Sequence, residues 1–554
     1  MNQTIVLTGM LPAIVIVSTV LTALVSGLLL WVYRRSVVKA MNLSVGDAAT
    51  HAPQAPVSPD AARKTMPALT ITDLSVSPDA MPSGGATYRH AMQLMAKSAW
   101  VYALGGLAYA LVMTTAQMII AGGGFYPIRF LMIFTCYAWA MVLCLMFLLP
   151  AVRLRIVCAY LAALAVIPIV GLIRSADLTL MQIIQLWFVF NAAATLLLFA
   201  FLHQRVRAVG PLVLMFMVAT VTGAFVMVSA FIENQELIRQ ISIVGSMLGL
   251  GATVIFILMH VIGFVLLAIP AWGLLRWLGY RYQNKRMSDL SINLDALFLL
   301  FGIVQPIELV FNGWGWIFTG LVAFLAYKIV VWAGFHLLSR RCEAGTPGRT
   351  LLLLRVFSLG QRSKRMLDLL SHVWLRCGPI NLIAGPDLAT ATVEPHEFMD
   401  FLGGHLSRRF VQGEADLAER LSYLDIQPDP DGRYRVNEFF CHANTWQMTM
   451  QALAGQCDAV LMDLRSFTKN NQGCLYELHQ LVNSVPLDRL VLVIDNSTDR
   501  SFLEAILREL WLHLDAASPN STLTRPVIHC FPVKKQTPAE IEQLFSFLVP
   551  DARS

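Results

Sequence analysis

DAVLMDLRSFTKNNQGCLYELHQLV, residues 458–482, is the stretch that decides the fold of the C-terminal part of this chain. It begins with a continuous apolar run that is typical of a strand buried on both faces of a sheet. A polar loop follows, and the residues from Gln472 onward have the apolar period of an amphipathic helix. Strand, loop and helix in this order indicate one unit of a parallel α/β sheet.

The same alternation extends over the whole C-terminal part, residues 350–554. Further strands are predicted at LLLLRVFSLG, PINLIAG, RYRVNEFFCH, RLVLVID and PVIHCFPV, with amphipathic helices between them. We therefore predict an α/β doubly wound domain. Ligands bind such domains outside the carboxyl ends of the strands, here after Leu359, Gly385, Leu464 and Asp495.

The chain before Arg340 has a composition suited to lipid. The whole protein is 56% hydrophobic and only 14% charged, which points to multiple membrane spans. A span needs about 20 apolar residues. Nine stretches qualify, at roughly 11–33, 99–121, 129–150, 154–173, 178–202, 209–232, 243–270, 295–311 and 315–338. The sequence thus predicts a polytopic α-helical membrane domain of about nine spans.

Basic residues predict the orientation of these spans, because short loops rich in Lys and Arg stay on the cytoplasmic side. They cluster in alternate connectors, at Arg34, Arg35, Lys39, Arg89, Lys97, Arg153, Arg155, Arg205, Arg207, Arg276 to Arg286, Arg340 and Arg341. We therefore expect the N-terminus outside, the C-terminal domain in the cytosol and a multi-pass location in a bacterial-type inner (plasma) membrane.

The predicted organisation has four parts. Residues 1–40 form the first transmembrane anchor, 41–97 a flexible cytosolic linker rich in Pro, Ala, Ser and Asp, 98–340 an eight-helix bundle, and 350–554 the α/β domain. The glycines of Gly245-x-x-x-Gly249-x-Gly251 lie inside the stretch 243–270, where small residues let helices approach closely.

Charge and cysteine content exclude several function classes. The net charge of +6 comes from the inside loops rather than from a basic groove with aromatic residues, so no nucleic-acid partner is predicted. The nine cysteines form no C-x-x-C pair and have no His at ligand spacing, which indicates reduced thiols and no metal site.

Three loops of the C-terminal domain have polar residues at or after the ends of predicted strands: Ser358 with Arg362, then Asp387, and then Ser466, which is followed by Cys474, Glu477 and Leu478 on a helix. In this pattern the domain resembles the TIR (Toll/interleukin receptor homology) family over about 200 residues. That family has a Ser in the loop after its first strand, a second loop after a helix ending in Gly, and a helix starting W-C-x-x-E-L after its central strand. The three loops of this domain correspond to these features in that order. The chain departs from the family at Gly473, which replaces the Trp, and in an insertion over 401–454.

The resemblance implies a flavodoxin-like fold and a catalytic role for Glu477 in cleaving the bond between nicotinamide and ribose of NAD. A carboxylate there can stabilise the oxocarbenium-like charge as nicotinamide departs. Ser358, Arg362, Asp387, Arg465 and Ser466 are the expected NAD-binding residues. NAD is a substrate in this hypothesis, and no cofactor is predicted.

Each site residue also has a structural interpretation. Glu477 can be a solvated charge on an amphipathic helix, Ser466 the N-cap of a short helix, and Arg362 a cation on the exposed face of the helix it opens.

The sequence therefore predicts a membrane-anchored signalling or effector protein whose TIR-like domain hydrolyses NAD when copies associate, as in defence responses. One alternative is a non-enzymatic TIR-like scaffold under a membrane sensor. A second is a transporter or channel with a regulatory cytosolic domain, for which Glu308 and Lys328 are the ionisable candidates. Lys328 is expected to extend its amine toward the inner membrane surface. The activating ligand is not predicted.

Overall fold

The computed structural model divides the chain into two compact units. The first contains residues 1–32, 97–343 and 393–400, and the second contains 33–96, 344–392 and 401–554. We call them the helical unit and the α/β unit. The residues described are 2–43, 67–74, 85–122, 124–149, 152–174, 181, 184–185, 187–188, 191–192, 194–196, 209–307, 309–339, 348–355, 361–385 and 395–549.

The helical unit is built from apolar helices. They are α1 (Asn2–Met41), α2 (Gly85–Ala121), α3 (Pro127–Tyr137), α4 (Trp139–Leu148), α5 (Arg153–Arg174), α6 (Gly210–Glu233), α7 (Gln235–Met247), α8 (Ala252–Gln283), α9 (Asp289–Val304) and α10 (Thr319–Ser339). The first 32 residues of α1 and the part of α2 from Lys97 belong to this unit. Among the described residues, six helices are long and apolar enough to cross a membrane, or seven if the bent pair α3 and α4 is one span. A protein with several membrane spans is therefore supported, whereas the nine stretches counted from the sequence exceed this number. The stretch 178–202 lies mostly outside the described residues.

One predicted span, 243–270, is wrong as a single helix. The chain breaks between α7 and α8, where Gly249 has a positive φ of 69°. Glycine adopts this left-handed conformation without steric cost. Gly249 thus ends one helix, and Gly251 precedes the next in an extended conformation. The glycines do not act here as a packing motif within one span.

Close helix packing occurs at other glycines. A Cβ atom on Gly263 of α8 would overlap the backbone oxygen of Gly223 on α6, so these two backbones touch. Gly302 of α9 and Gly320 of α10 make a second contact of this kind. Such glycines let helices pack through their backbones in an apolar medium.

The α/β unit contains one parallel sheet of eight strands. They are β1 (Thr70–Asp73), β2 (Leu351–Arg355), β3 (Ile380–Ile383), β4 (Phe410–Val411), β5 (Val436–Cys441), β6 (Ala459–Asp463), β7 (Leu490–Ile494) and β8 (Val527–Pro532). Their order across the sheet is β1-β8-β7-β6-β2-β3-β5-β4. The central strands β2, β3, β6 and β7 are buried at every residue, as their continuous apolar runs predict.

Helices cover both faces of the sheet. On one face pack α11 (Gln361–Trp374) and α17 (Pro538–Leu548), through residues such as Leu370 and Phe545. On the other pack α13 (Glu414–Ser422), α14 (Trp446–Gln456), α15 (Gln472–Ser484) and α16 (Arg500–Leu512). The prediction of a doubly wound α/β domain is confirmed. The remaining helix, α12 (Pro395–Leu402), lies at the junction of the two units in sequence.

The insertion at 401–454 extends the sheet. It supplies β4 and β5, and β5 pairs in parallel with β3. When β1, β4 and β5 are left out, five strands remain, and they can be renumbered 1 to 5 along the chain as β2, β3, β6, β7 and β8. Across the sheet these five strands lie in the order 2-1-3-4-5. The order reverses between β2 and β6, and such a switch point is where open α/β sheets bind ligands.

The predicted flexible linker is wrong in two places. Thr70–Asp73 forms β1 and pairs in parallel with β8, and α2 begins at Gly85. The four-residue strand is short and half exposed, so its pattern is weak in the sequence. Asp73 also forms an ion pair with Arg500, and Trp511 Nε1 donates a hydrogen bond of 2.9 Å to the carbonyl oxygen of Pro67.

The end of α1 also belongs to the α/β unit, where it contacts the insertion. Tyr33 is fully buried and packs edge-on against Phe401, with ring centroids 5.3 Å apart. The carbonyl oxygen of Ala40 lies 2.8 Å from Nδ1 of His442, and the carbonyl of Leu43 accepts a hydrogen bond from the backbone of Ala443. The insertion thus holds the C-terminal end of the first helix.

Candidate functional site

The switch point brings two charged residues side by side. Arg355 ends β2 and Asp463 ends β6, and the two are partners in the parallel register. Both are buried, with 5% and 0% of their surface exposed. Burial of ionised groups is costly unless they are paired, so their surroundings must supply compensating charge.

Arg465 supplies that charge for Asp463. Its Nε and Nη2 atoms donate to the two carboxylate oxygens at 2.8 and 2.7 Å, in the bidentate geometry that suits a guanidinium. Nη2 also donates to the carbonyl oxygen of Arg362 at the start of α11. Arg465 was predicted to contact NAD, but the structure shows it 1% exposed and engaged with the protein. Its Nη1 atom is buried and has no hydrogen-bond partner.

Ser466 follows in a strained backbone conformation, with a φ of 59°. A residue other than glycine in this region costs about 1–2 kcal/mol. Two contacts with Ser497 hold it there: its backbone N–H donates to Ser497 Oγ at 3.1 Å, and the two hydroxyl oxygens lie 3.0 Å apart. The N-cap interpretation is wrong, because α15 begins at Gln472 and Asn471 occupies the cap position.

Arg362 completes this part of the site from the first turn of α11. Its Nη2 pairs with Asp495 at the end of β7, and its Nη1 lies 3.5 Å from Ser466 Oγ. Its side chain is 53% exposed. The structure thus brings together three of the predicted binding residues, Arg362, Arg465 and Ser466. Ser358 and Asp387 lie outside the described residues.

Glu477 lies on the inner face of α15. It is 2% exposed, and its neighbours on that face, Cys474, Leu478 and Leu481, are also buried. Its Oε2 atom has no hydrogen-bond partner. Burial raises the pKa of Glu477 to about 8, and the positive charge of Arg355 opposes part of this increase. The solvated-charge interpretation is therefore wrong.

Glu477 interacts electrostatically with residues at the switch point. Burial raises the pKa of the Cys474 thiol, and the negative charges of Glu477 and Asp463 add to this effect. Arg355 thus acts on Glu477, and Glu477 and Asp463 both act on Cys474, at the junction of β2, β6 and α15. A neutral, unpartnered carboxyl group with a pKa near neutrality is a common feature of catalytic sites.

The sequence identified some of these residues and missed others. Arg355, Asp463, Asp495 and Ser497 were not predicted, although each lies at or just after the end of a predicted strand. Glu477 falls on the apolar stripe of α15, three residues after Cys474 and four before Leu481, so helical periodicity alone indicates its burial.

Two further acidic residues, Asp429 and Asp431, lie in the insertion. Asp429 to Gly432 forms a turn closed by a backbone hydrogen bond from Gly432 to Asp429, and Asp429 pairs with Arg435. Within the part of the chain that the structure describes, no group of three His, Cys, Asp or Glu side chains could hold a metal ion.

Comparison with known proteins adds no assignment to this geometry. No protein-family model matches the chain, and no curated protein or solved structure is similar enough to count as a match.

Proposed function

We propose that this is a membrane-anchored signalling or effector protein whose α/β unit binds and hydrolyses NAD when copies associate. In this proposal the unit is a TIR-like, flavodoxin-like domain in the cytosol, and the helical unit spans a bacterial-type inner membrane about nine times with the N-terminus outside. When β1 and the insertion are left out, the remaining strands have the order 2-1-3-4-5, which supports the flavodoxin-like fold.

The observation that carries the proposal is the buried carboxyl group of Glu477 at the switch point. Its pKa is raised to about 8, and its Oε2 atom has no partner in the protein. Leaving a carboxyl group in this state reduces stability, and such groups are concentrated at functional sites. The motif that suggested a catalytic Glu477 and the physical state of that residue therefore point to the same function.

In this conformation a substrate cannot contact Glu477, because only 2% of the residue is exposed. The proposal therefore requires the loop between β6 and α15 to open on association. Opening would hydrate the carboxyl group, return its pKa toward the ordinary range and leave a carboxylate beside the ribose of NAD. That charge would stabilise the transition state as nicotinamide leaves. Arg362 and Ser466, at the mouth of the site, would bind the substrate.

The experiment is a measurement of NAD loss and nicotinamide release by the full-length protein in liposomes at increasing protein density. Glu477→Gln is a conservative variant, since glutamine resembles the neutral acid that the buried site holds. Glu419→Gln, on the exposed surface of α13, is the matched control. We expect turnover that rises with density in the wild type and in Glu419→Gln, and no turnover in Glu477→Gln.

The burial of Glu477 also favours a second function, a non-enzymatic scaffold. If the loop never opens, the α/β unit would only assemble with other copies and recruit a partner. Folded wild-type protein that forms assemblies at high density but releases no nicotinamide would establish this alternative. A transporter or channel is the third hypothesis, and Glu308, its first candidate residue, lies outside the described residues.

A further inference from the structure

A charged pair lies within the helical unit. Lys328 on α10 donates a hydrogen bond of 2.7 Å to Oδ2 of Asp295 on α9. The side chain of Asp295 is 13% exposed and that of Lys328 is 35% exposed. Both belong to segments long and apolar enough to cross a membrane, Leu290–Ile307 and Gly315–Leu338. Asp295 was not predicted as a candidate, and Lys328 was expected to extend toward the membrane surface, whereas Lys328 pairs with the Asp295 carboxylate.

Ionisable groups in such segments are costly and are usually retained for a function. A pair used only for packing would be replaceable by apolar side chains, often without loss of stability. The groups around Asp295 indicate which function. Its Oδ1 atom and the hydroxyl group of Tyr327 are both buried, and the two groups act on each other.

The charged and titratable groups that act on Asp295 come from two packed helices. They are Lys328 and Tyr327 of α10 and Arg281 of α8, whose Nε atom is also buried without a partner. The charge of Asp295 in turn acts on Cys144 of α4. Buried polar groups thus surround a single carboxylate, and among the described residues Nε of Arg281 has no hydrogen-bond partner. Buried polar groups of this kind are normally satisfied by water or by a proton on the acceptor.

We propose that Asp295 is a proton-binding site of the helical unit, with Lys328 as its counter-charge. A proton from water adds to Oδ1 of Asp295, an O–H bond forms, and the carboxylate becomes a neutral acid. Lys328 keeps its ammonium charge, so the net charge of the cluster rises by one.

The packing of α9 and α10 explains how protonation would change the helical unit. At one position the two helices touch through the backbones of Gly302 and Gly320, which fixes their separation there. Between that contact and the charged pair, Phe298 stacks on Tyr327 with ring centroids 4.0 Å apart. The ion pair of Asp295 and Lys328 connects α9 and α10 on the other side of the stacked rings. Neutralising Asp295 weakens only that side of the interface, so α10 can move relative to α9 about the glycine contact.

Infrared difference spectroscopy of the full-length protein in liposomes tests the proposal. We expect a protonated-carboxyl band to appear as the pH is lowered and to be absent in Asp295→Asn. Glu477→Gln is the control for the buried acid of the α/β unit and Glu308→Gln is the control for the second acid of the predicted span 295–311, and both should retain the band. In Lys328→Met the midpoint should move to higher pH, because the ammonium group that favours the carboxylate is removed.

Two results would overturn the proposal. The first is the same band in Asp295→Asn, which would assign the proton to another residue. The second is a folded wild-type protein in which the band that Asp295→Asn removes has the same intensity over the whole pH range, so that Asp295 neither gains nor loses a proton. If Asp295→Asn does not fold, the midpoint in Lys328→Met decides, and an unchanged midpoint would exclude Asp295 as the titrating group.

Discussion

Glu477 shows how one side chain can connect stability with activity. The folded protein holds it as a neutral acid because burial raises its pKa to about 8. An unfolded chain holds it as a carboxylate above its ordinary pKa of about 4.5. The folded state therefore binds one more proton than the unfolded state between these two values. A shift of one pKa unit corresponds to about 1.4 kcal/mol.

We predict from this that the α/β unit loses stability as the pH rises from about 5 to about 8. The sign follows because the unfolded state binds fewer protons than the folded state in this window. Glu477→Gln should be less sensitive to pH there, since glutamine has no proton to lose. Hydrogen exchange of the amides of β6, followed by mass spectrometry in the full-length protein, measures the opening free energy. Equal pH dependence in the two proteins would contradict the assigned pKa.

Asp463 and Arg465 provide a second prediction at this scale. Asp463→Asn or Arg465→Met alone should destabilise the α/β unit by about 3–5 kcal/mol, because each removes one partner of a buried bidentate ion pair. The double variant should cost less than the two single changes together. Denaturant unfolding of the three variants checks this. Additive effects would mean that the two side chains act independently.

Residue properties were harder to predict from the sequence than strand positions. Arg465 binds Asp463 rather than a ligand. This contact depends on where β6 ends and on the start of α11, whose Arg362 carbonyl oxygen also accepts a hydrogen bond from Arg465. Asp463 is the last residue of β6, and Arg465 lies two residues later, outside the strand. The regular alternation of side chains in a strand does not apply there, so the sequence alone does not predict which way Arg465 points. Helical periodicity indicates the burial of Glu477. Its predicted catalytic role came instead from the resemblance of the motif.

At the scale of elements, continuous apolar runs predicted most of the sheet. Strands β2, β3, β5, β6, β7 and β8 lie within the predicted segments. Four of them, β2, β3, β6 and β7, are buried at every residue, and burial on both faces requires continuous apolar runs. β1 was missed, since a short edge strand buries one face only and its Pro- and Ser-rich flanks resemble a linker. The break between α7 and α8 was missed because the residues on both sides are apolar, and only the backbone of Gly249 distinguishes a turn from a helix.

Helix packing gives a prediction with an internal control. Gly263→Leu should separate α8 from α6, because even a Cβ atom at this position overlaps the backbone of Gly223. Gly273 lies on the same helix with no atom within 4 Å of its added Cβ. Gly273→Leu should therefore be tolerated. Thermal unfolding in detergent compares the two, and equal losses of stability would show that the glycine contact is not specific.

At the scale of the whole molecule, the α/β unit is not confined to the C-terminal part of the chain. It includes the end of α1, β1 and the start of α2, all within residues 33–96. The boundary predicted at residue 350 therefore leaves out segments that cover the insertion and one edge of the sheet. Local patterns cannot reveal such contacts, because the partners are separated by the entire helical unit.

We predict that residues 350–554 alone are less stable than the same domain in the full-length protein. The isolated domain would lose the pairing of β1 with β8 and the burial of Tyr33 and Val37, both of which are fully buried. Hydrogen exchange should be faster in β8 and around His442, and unchanged in β2. Uniform exchange in the two proteins would show that the N-terminal segments do not stabilise the sheet.

The pairing of β1 with β8 also determines when the sheet of the α/β unit can be completed during synthesis. β1 is synthesised before the helices α2 to α10, whereas β8 leaves the ribosome only after them. Contacts between such distant residues form slowly. Until then the strand has no partner, and an unpaired edge is a site for aggregation and proteolysis. Chains truncated before β8 cannot close this edge, so the cell's quality-control proteases can distinguish them from the finished protein.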